Sequence, residues 1–216
     1  MWIIAHLPHA IQFSLGKLLG KLIYRLASTR RHIAETNISL CFPELSAKEQ
    51  QQLAKNTVIE NAIGFVETCI AWWNPATITS DHITVEGEEH LRQAIAQGRG
   101  VLLVGAHYST LDLGGLLVSH VEKVSVMYRA HKNPLFNLAM QNARMRFCNS
   151  VIERSNMRDV IRCFKKGDIV WYAPDQDYGR KYSVFAPFFN IEAATITATS
   201  RIAKINKSPV LILGHH

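Results

Sequence analysis

His107 and Asp112 stand five residues apart in His107-Tyr108-Ser109-Thr110-Leu111-Asp112. An imidazole within reach of a carboxylate is a pair that activates hydroxyl nucleophiles. On one continuous helix, residues five apart are rotated by about 140° and do not meet, given 3.6 residues per turn. The pair meets only if His107 occupies a strand-to-helix turn and Asp112 the first turn of the following helix. Asp112 could then fix one ring nitrogen and leave the other as a base, a device that typically supplies a factor of about 10²–10⁴. A plainer reading fits the same residues, because Ser109-Thr110-Leu111-Asp112 is also a capping-box pattern that accounts for Asp112 as a helix-start carboxylate. Spacing alone leaves both open. A metal site is not expected, since no third ligand is evident and His120 falls at the far end of the helix. Ser109 does not sit in a Gly-x-Ser-x-Gly elbow, which argues against a serine hydrolase.

Further chemistry-bearing residues follow apolar runs. Arg129 and His131 come after Val124 to Tyr128, Glu153 and Arg154 after Ser150 to Ile152, and Asp175 and Asp177 after Ile169 to Ala173. In an open parallel sheet, sites collect beyond the carboxyl ends of the strands, so these residues share a rim with His107. A histidine, two arginines and several carboxylates there describe a site for an anionic substrate. Arg129 and Arg154 could grip phosphate or carboxylate oxygens through the guanidinium fork, or each could make a structural ion pair. The turn from Pro174 to Lys181 reads first as a surface loop; near the rim, its acids could orient an arginine or a substrate hydroxyl.

The elements that would hold this rim are an alternation of short strands and helices. Strands are expected at Ile83 to Val85, Val101 to Val104, Val124 to Tyr128, Ser150 to Ile152, Ile169 to Ala173, Val184 to Phe189 and Val210 to Leu213. Helices are expected at Glu88 to Gln97, Thr110 to Ser119, Leu135 to Phe147, Met157 to Lys166 and Ala193 to Ile205. Such alternation makes an α/β fold with a mostly parallel sheet flanked by helices. Residues 1–80 read instead as a helical N-terminal part, with a long helix opened by the Ser46-Ala47-Lys48-Glu49 capping box and closed at Trp72-Trp73-Asn74-Pro75. The α/β body is assigned to 81–216. Because it ends on an apolar strand without a covering helix, more chain is expected beyond His216.

The N-terminal helix, from about Ala10 to Ala27, sets Ile11, Leu15, Leu18, Leu19, Leu22 and Ile23 at helical spacing beside a row of Lys17, Lys21 and Arg25. That pattern suits a helix lying in a membrane interface near anionic lipid, and equally a core-packing helix with a solvated basic face. Charges interrupt any run approaching the roughly 20 apolar residues of a membrane span. The chain carries 24 Lys and Arg against 17 Asp and Glu, a net charge of +7 that calls for an anionic partner. Nucleic acid is disfavoured, because the cations are not interleaved with aromatics and no recognition motif appears. Four scattered cysteines suggest neither disulfides nor a thiolate zinc site and fit a reducing, cytosol-facing location.

Several blocks in this order resemble the lipid A late acyltransferases of Gram-negative bacteria, the lauroyl or myristoyl transferases that complete Kdo-lipid A. They are Arg31-His32 leading to Asn37-Ile38-Ser39-Leu40-Cys41-Phe42-Pro43-Glu44, the His107 to Asp112 motif, and Tyr128-Arg129 with Asn133-Pro134. Lys165 to Asp175 and Phe185-Ala186-Pro187-Phe188-Phe189 follow. The resemblance covers nearly the whole chain and implies a glycerolipid-acyltransferase-like fold with an N-terminal membrane-interface part. It implies transfer of a fatty acyl chain from the thioester of acyl carrier protein, with no other cofactor, to a hydroxyl on a phosphorylated Kdo-lipid A precursor. By that analogy His107 is the base and Asp112 its orienting carboxylate, with Arg129, Arg154 and Asp175 as substrate contacts. The implied setting is the cytoplasmic face of the inner membrane, peripheral or N-terminally anchored.

Many members of that family carry Glu in place of Asp112, a longer apolar N-terminal anchor and a further C-terminal portion. The nearest rival reading is a glycerophospholipid acyltransferase using the same His-x4-Asp chemistry on a lysophospholipid. A rival of another class is a non-catalytic membrane-binding protein.

Overall fold

A computed structural model describes residues 1–215, the side chain of His82 excepted, and divides the chain into two compact units. The helical unit comprises Met1–Asn74, Ser109–Leu113 and Phe185–Ala193, so it is not contiguous in sequence. Its helices are α1 (Trp2–Ala5), α2 (His9–Leu26), α3 (Ser28–Cys41) and α4 (Ala47–Trp73). The expected capping box opens α4: the Ser46 hydroxyl accepts from the Glu49 N–H at 3.4 Å, and Glu49 Oε2 accepts from the Ser46 N–H at 2.9 Å. Pro8 opens α2, and a break at Ala27 separates it from α3, a helix absent from the expectations above.

The face α2 turns inward is made of its small and polar residues. Its buried positions are Gln12, Gly16 and Gly20, four apart, while Leu18, Leu22 and Leu26 are 55%, 45% and 75% exposed. A Cβ on Gly20 would stand 2.5 Å from Ile59 Cα, and one on Gly16 3.0 Å from Ile63 Cα. The two glycines therefore let the backbones of α2 and α4 approach closely. Gln12 Nε2 donates to the Ile4 and Ala5 carbonyls at 2.9 and 3.1 Å, and Asn74 Nδ2 donates to Ala5 at 3.1 Å, which ties α1 to both helices. On the adjoining face of α4, Gly64 leaves room for the Ser109 backbone, whose carbonyl oxygen would lie 2.3 Å from a Cβ there. Glu67 is also on α4, with one carboxylate oxygen buried and without a hydrogen-bond partner. Burial pushes its carboxyl up, the charge of Glu60 adds to this, and His9 opposes it.

The second unit comprises Pro75–Tyr108, Gly114–Val184 and Ala194–His215. Its strands are β1 (Val101–Val104), β2 (Ser125–Tyr128), β3 (Ser150–Glu153), β4 (Ile169–Tyr172) and, after a separate pair, β7 (Val210–Ile212). They form one parallel sheet in the order β3-β2-β4-β1-β7. The helices are α5 (Glu88–Ile95), α6 (Leu111–Ser119, whose first turn belongs to the helical unit), α7 (Pro134–Arg144), α8 (Met157–Lys165) and α9 (Ala198–Asn206). Leu102, Val170, Val160, Phe164 and Ile202, from β1, β4, α8 and α9, form one buried cluster. Their near-continuous apolar strands are those of a sheet covered by helices.

Two expectations are corrected. Ile83 to Val85 is not a strand; it follows a 3-10 turn at Ser80–His82, and among the described residues no strand pairs with it. The helix expected from Ala193 starts at Ala198, because Ile191–Ile196 is a strand, β6, paired with β5 (Ser183–Phe188). Phe189 and Asn190, both left-handed at φ 49° and 60°, form the two-residue turn between them.

Candidate active site

Strand order determines what lies next to His107. β1 is adjacent to β4, and the chain runs from β1 past β4 to β2 and from β4 past β1 to β7. The carboxyl ends of the strands are the usual site position in open α/β sheets. The register pairs Val104 with Tyr172, and three residues beyond each stand His107 and Asp175.

Asp175 holds His107 through both carboxylate oxygens. The His107 backbone N–H donates to Oδ2 at 2.8 Å, and ring Nδ1 lies 2.6 Å from Oδ1. Burial alone would raise the Asp175 carboxyl, but the backbone and ring hydrogen bonds and the charge of His107 outweigh it, and the group lies below the ordinary aspartate value. In a neutral imidazole, an ionised Asp175 favours the tautomer with the proton on Nδ1, in which Nε2 is the acceptor. The imidazole side chain is 36% exposed.

Gly105 and Trp171 form the floor. Any Cβ at Gly105 would fall 2.5 Å from Trp171 Nε1, so only glycine lets the indole lie there, edge-on to His107 with ring centroids 6.4 Å apart.

The sequence-derived residues are placed as follows. Arg129, just past β2, is exposed and has no side-chain partner among the described residues. Arg154, just past β3, is exposed with its guanidinium over the Tyr178 ring at 5.5 Å. Asp112 lies in the first turn of α6, 8% exposed and with a partner of its own, in the segment belonging to the helical unit. Asp177 accepts from the Gly179 N–H at 2.6 Å and serves to close the turn. Asn133 caps α7, accepting from the Leu135 and Phe136 N–H groups at 3.0 and 3.1 Å ahead of Pro134. Trp171 and Tyr178 escaped the sequence reading; the Gly105 that follows a strand without a turn signal was the one available hint of a close approach.

A parallel sheet with an imidazole–carboxylate pair just past the carboxyl ends of two adjacent strands is a frame common to α/β enzymes. The model of the bacterial lipid A biosynthesis acyltransferases matches residues 1–213. The lipid A biosynthesis lauroyltransferase of Escherichia coli (strain K12) is 38% identical over 207 residues, 95% of this chain and 68% of the relative. The palmitoleoyltransferase of the same strain is 36% identical over 212 residues, 98% of this chain and 69% of the relative. Its myristoyltransferase is 28% identical over 200 residues, 90% and 61% of the two chains. The chain belongs to the bacterial lipid A biosynthesis acyltransferase family.

Proposed function

We propose that this acyltransferase of lipid A biosynthesis moves a fatty acyl chain of the lauroyl or myristoyl class from acyl carrier protein to a hydroxyl of a hydroxyacyl chain on a Kdo-lipid A precursor. His107 Nε2 takes the hydroxyl proton as the oxygen attacks the thioester carbonyl. The tetrahedral intermediate collapses with cleavage of the C–S bond, and the departing thiolate recovers the proton from the imidazolium. Asp175, held on Nδ1, orients the ring and stabilises its charged form, the role of a triad carboxylate. The observation carrying this reading is the pair of hydrogen bonds from His107 to Asp175. The His107-x4-Asp112 motif keeps Asp112 as the alternative candidate for the orienting carboxylate. Arg129 supplies an unpaired guanidinium and Arg154 an aromatic-backed one for the acceptor's phosphates.

We place the protein at the cytoplasmic face of the inner membrane. Among the described residues no helix is long and apolar enough to cross a membrane. The reading is supported by the outward leucines of α2 beside exposed Lys17, Lys21 and Arg25. Full burial of one leucine is worth about 1.5–3 kcal/mol and each cation near an anionic surface about 1 kcal/mol, so a few of each suffice for binding. An acidic carrier protein is supported by Arg158, Arg162 and Lys165, which recur at helical spacing along the exposed side of α8.

The deciding measurement is mass spectrometry of the Kdo-lipid A precursor after incubation with acyl carrier protein thioester and either the parent or His107→Ala. The parent should add one acyl mass and the variant none. Equal products from both would overturn the assignment of the base, and acylation of lysophospholipid alone would overturn the acceptor.

A further inference from the structure

The blocks Asn37 to Glu44 and Phe185 to Phe189 are far apart in sequence, yet they meet in the helical unit, where the Phe42 and Phe189 rings pack edge to face at 5.2 Å. Phe189 also stands edge to face with Phe188 at 4.8 Å. From this contact the tip of the β5–β6 hairpin extends, and its side chains are exposed: Phe185 51%, Phe188 62%, Phe189 45% and Ile191 40%. Leu40, two residues before Phe42, is 51% exposed. Two-residue hairpin turns with both residues left-handed are normally built from Asn, Asp and Gly. Phe189 holds that conformation at φ 49°, unfavourable for a bulky side chain, and places its ring outside any core.

An isolated two-stranded hairpin is marginal in water, and one tipped with aromatic rings is costlier still unless something covers it. We propose that the β5–β6 hairpin tip is a membrane-inserting wedge that enters the headgroup region of an anionic bilayer, with Phe188, Phe189 and Ile191 below the surface. Three observations favour lipid over a protein partner. A few side chains at the tip of one hairpin fall far short of the roughly 1,200–2,000 Å² that a stable protein interface buries, whereas a bilayer requires only depth. Aromatic side chains concentrate at the membrane–water boundary. The helical unit that holds the tip, Phe185–Ala193, also carries the cation row of α2, against the single acid Glu192 in the hairpin. The charge complements anionic headgroups. This inference rests on the proposed membrane location and adds a second insertion point to α2.

The test is co-sedimentation of the full chain with phosphatidylcholine vesicles, with and without phosphatidylglycerol. It compares the parent with Phe188→Ser, Phe189→Asn and, as a control on α2, Leu22→Ser. Phe188→Ser and Phe189→Asn should each lower the partition coefficient for the anionic vesicles about tenfold. Phe189→Asn should leave the melting temperature unchanged or higher, because Asn tolerates the left-handed turn that Phe does not. In Phe188→Trp, bilayers brominated in the acyl chains should quench fluorescence beyond that of the parent's four native tryptophans. If Leu22→Ser weakens binding while both hairpin variants bind like the parent, the wedge is overturned and the membrane location stands. If the parent binds neither vesicle, both are overturned. Loss of self-association in Phe188→Ser with unchanged partition would identify a second copy as the occupant and overturn the wedge.

Discussion

Asp175 accepts hydrogen bonds from both the backbone N–H and ring Nδ1 of His107, a residue 68 positions earlier in the chain. One carboxylate therefore fixes the position of the histidine's main chain and the tautomer of its ring, and it does so from a neighbouring strand.

Replacing that carboxylate should damage the chemical step more than substrate binding. Asp175→Asn is expected to lower kcat by about 10²–10⁴ with KM within a few-fold of the parent, because the amide favours the wrong tautomer. Single-turnover acyl transfer measures this directly. A rise in KM with kcat preserved would instead assign Asp175 to substrate contact. A larger loss in kcat for Asp112→Asn than for Asp175→Asn would return the orienting role to Asp112.

Gly105→Ala should displace Trp171 from beneath His107. The added methyl falls within 2.5 Å of the indole nitrogen, and overpacking of this kind costs about 1–3 kcal/mol. Urea unfolding should show that loss, accompanied by a change in tryptophan emission and reduced turnover. Unchanged emission would mean that the indole does not need the space.

Gly20→Ala decides the packing of α2 by its sign. On a solvated helix face the change gains about 1 kcal/mol from helix propensity. Against Ile59 Cα the methyl has 2.5 Å, and the expected result is a net loss of about 1–2 kcal/mol, read from the urea midpoint.

Glu67→Gln should stabilise the protein in a pH-dependent way. Burial, with the charge of Glu60 adding to it, raises the folded-state carboxyl above its unfolded value. Ionisation therefore penalises the folded state above the raised value, and the penalty disappears below the unfolded value of about 4.3. The urea midpoint of the variant, taken relative to the parent, should rise as the pH climbs from the unfolded value of about 4.3 and level off above the raised folded-state value. A constant difference across that window would show that Glu67 ionises freely.

Much of this architecture is legible in local patterns. The capping box at Ser46, the Asn133-Pro134 helix start and the apolar strands announce themselves through residue type, and each of His107, Arg129, Arg154 and Asp175 was placed on the sheet rim by the strand it follows. The partnership of His107 with Asp175 was not legible, because it depends on β4 inserting between β2 and β1, a long-range choice that no local period records. Ile191 to Ile196 contains alanines and a glutamate that favour helix, and the tight turn at Phe189-Asn190 overrides them by pairing the segment with β5. Helix α3 has no buried residue and so offers no apolar stripe to detect. For α2 the stripe was evident but its direction was not, since glycine is silent in a hydrophobic pattern and yet forms the inner face.

That inversion in α2 bears on how the helix meets its surroundings. Its hold on α4 comes from close backbone contact through Gly16 and Gly20, as in helix pairs within lipid, and not from removing leucines from water. The leucines can therefore exchange one solvent for another while every contact behind them stays in place. Adsorption of this helix needs no refolding step, so its calorimetric trace should carry the negative heat-capacity change of apolar transfer while the helical circular dichroism stays flat.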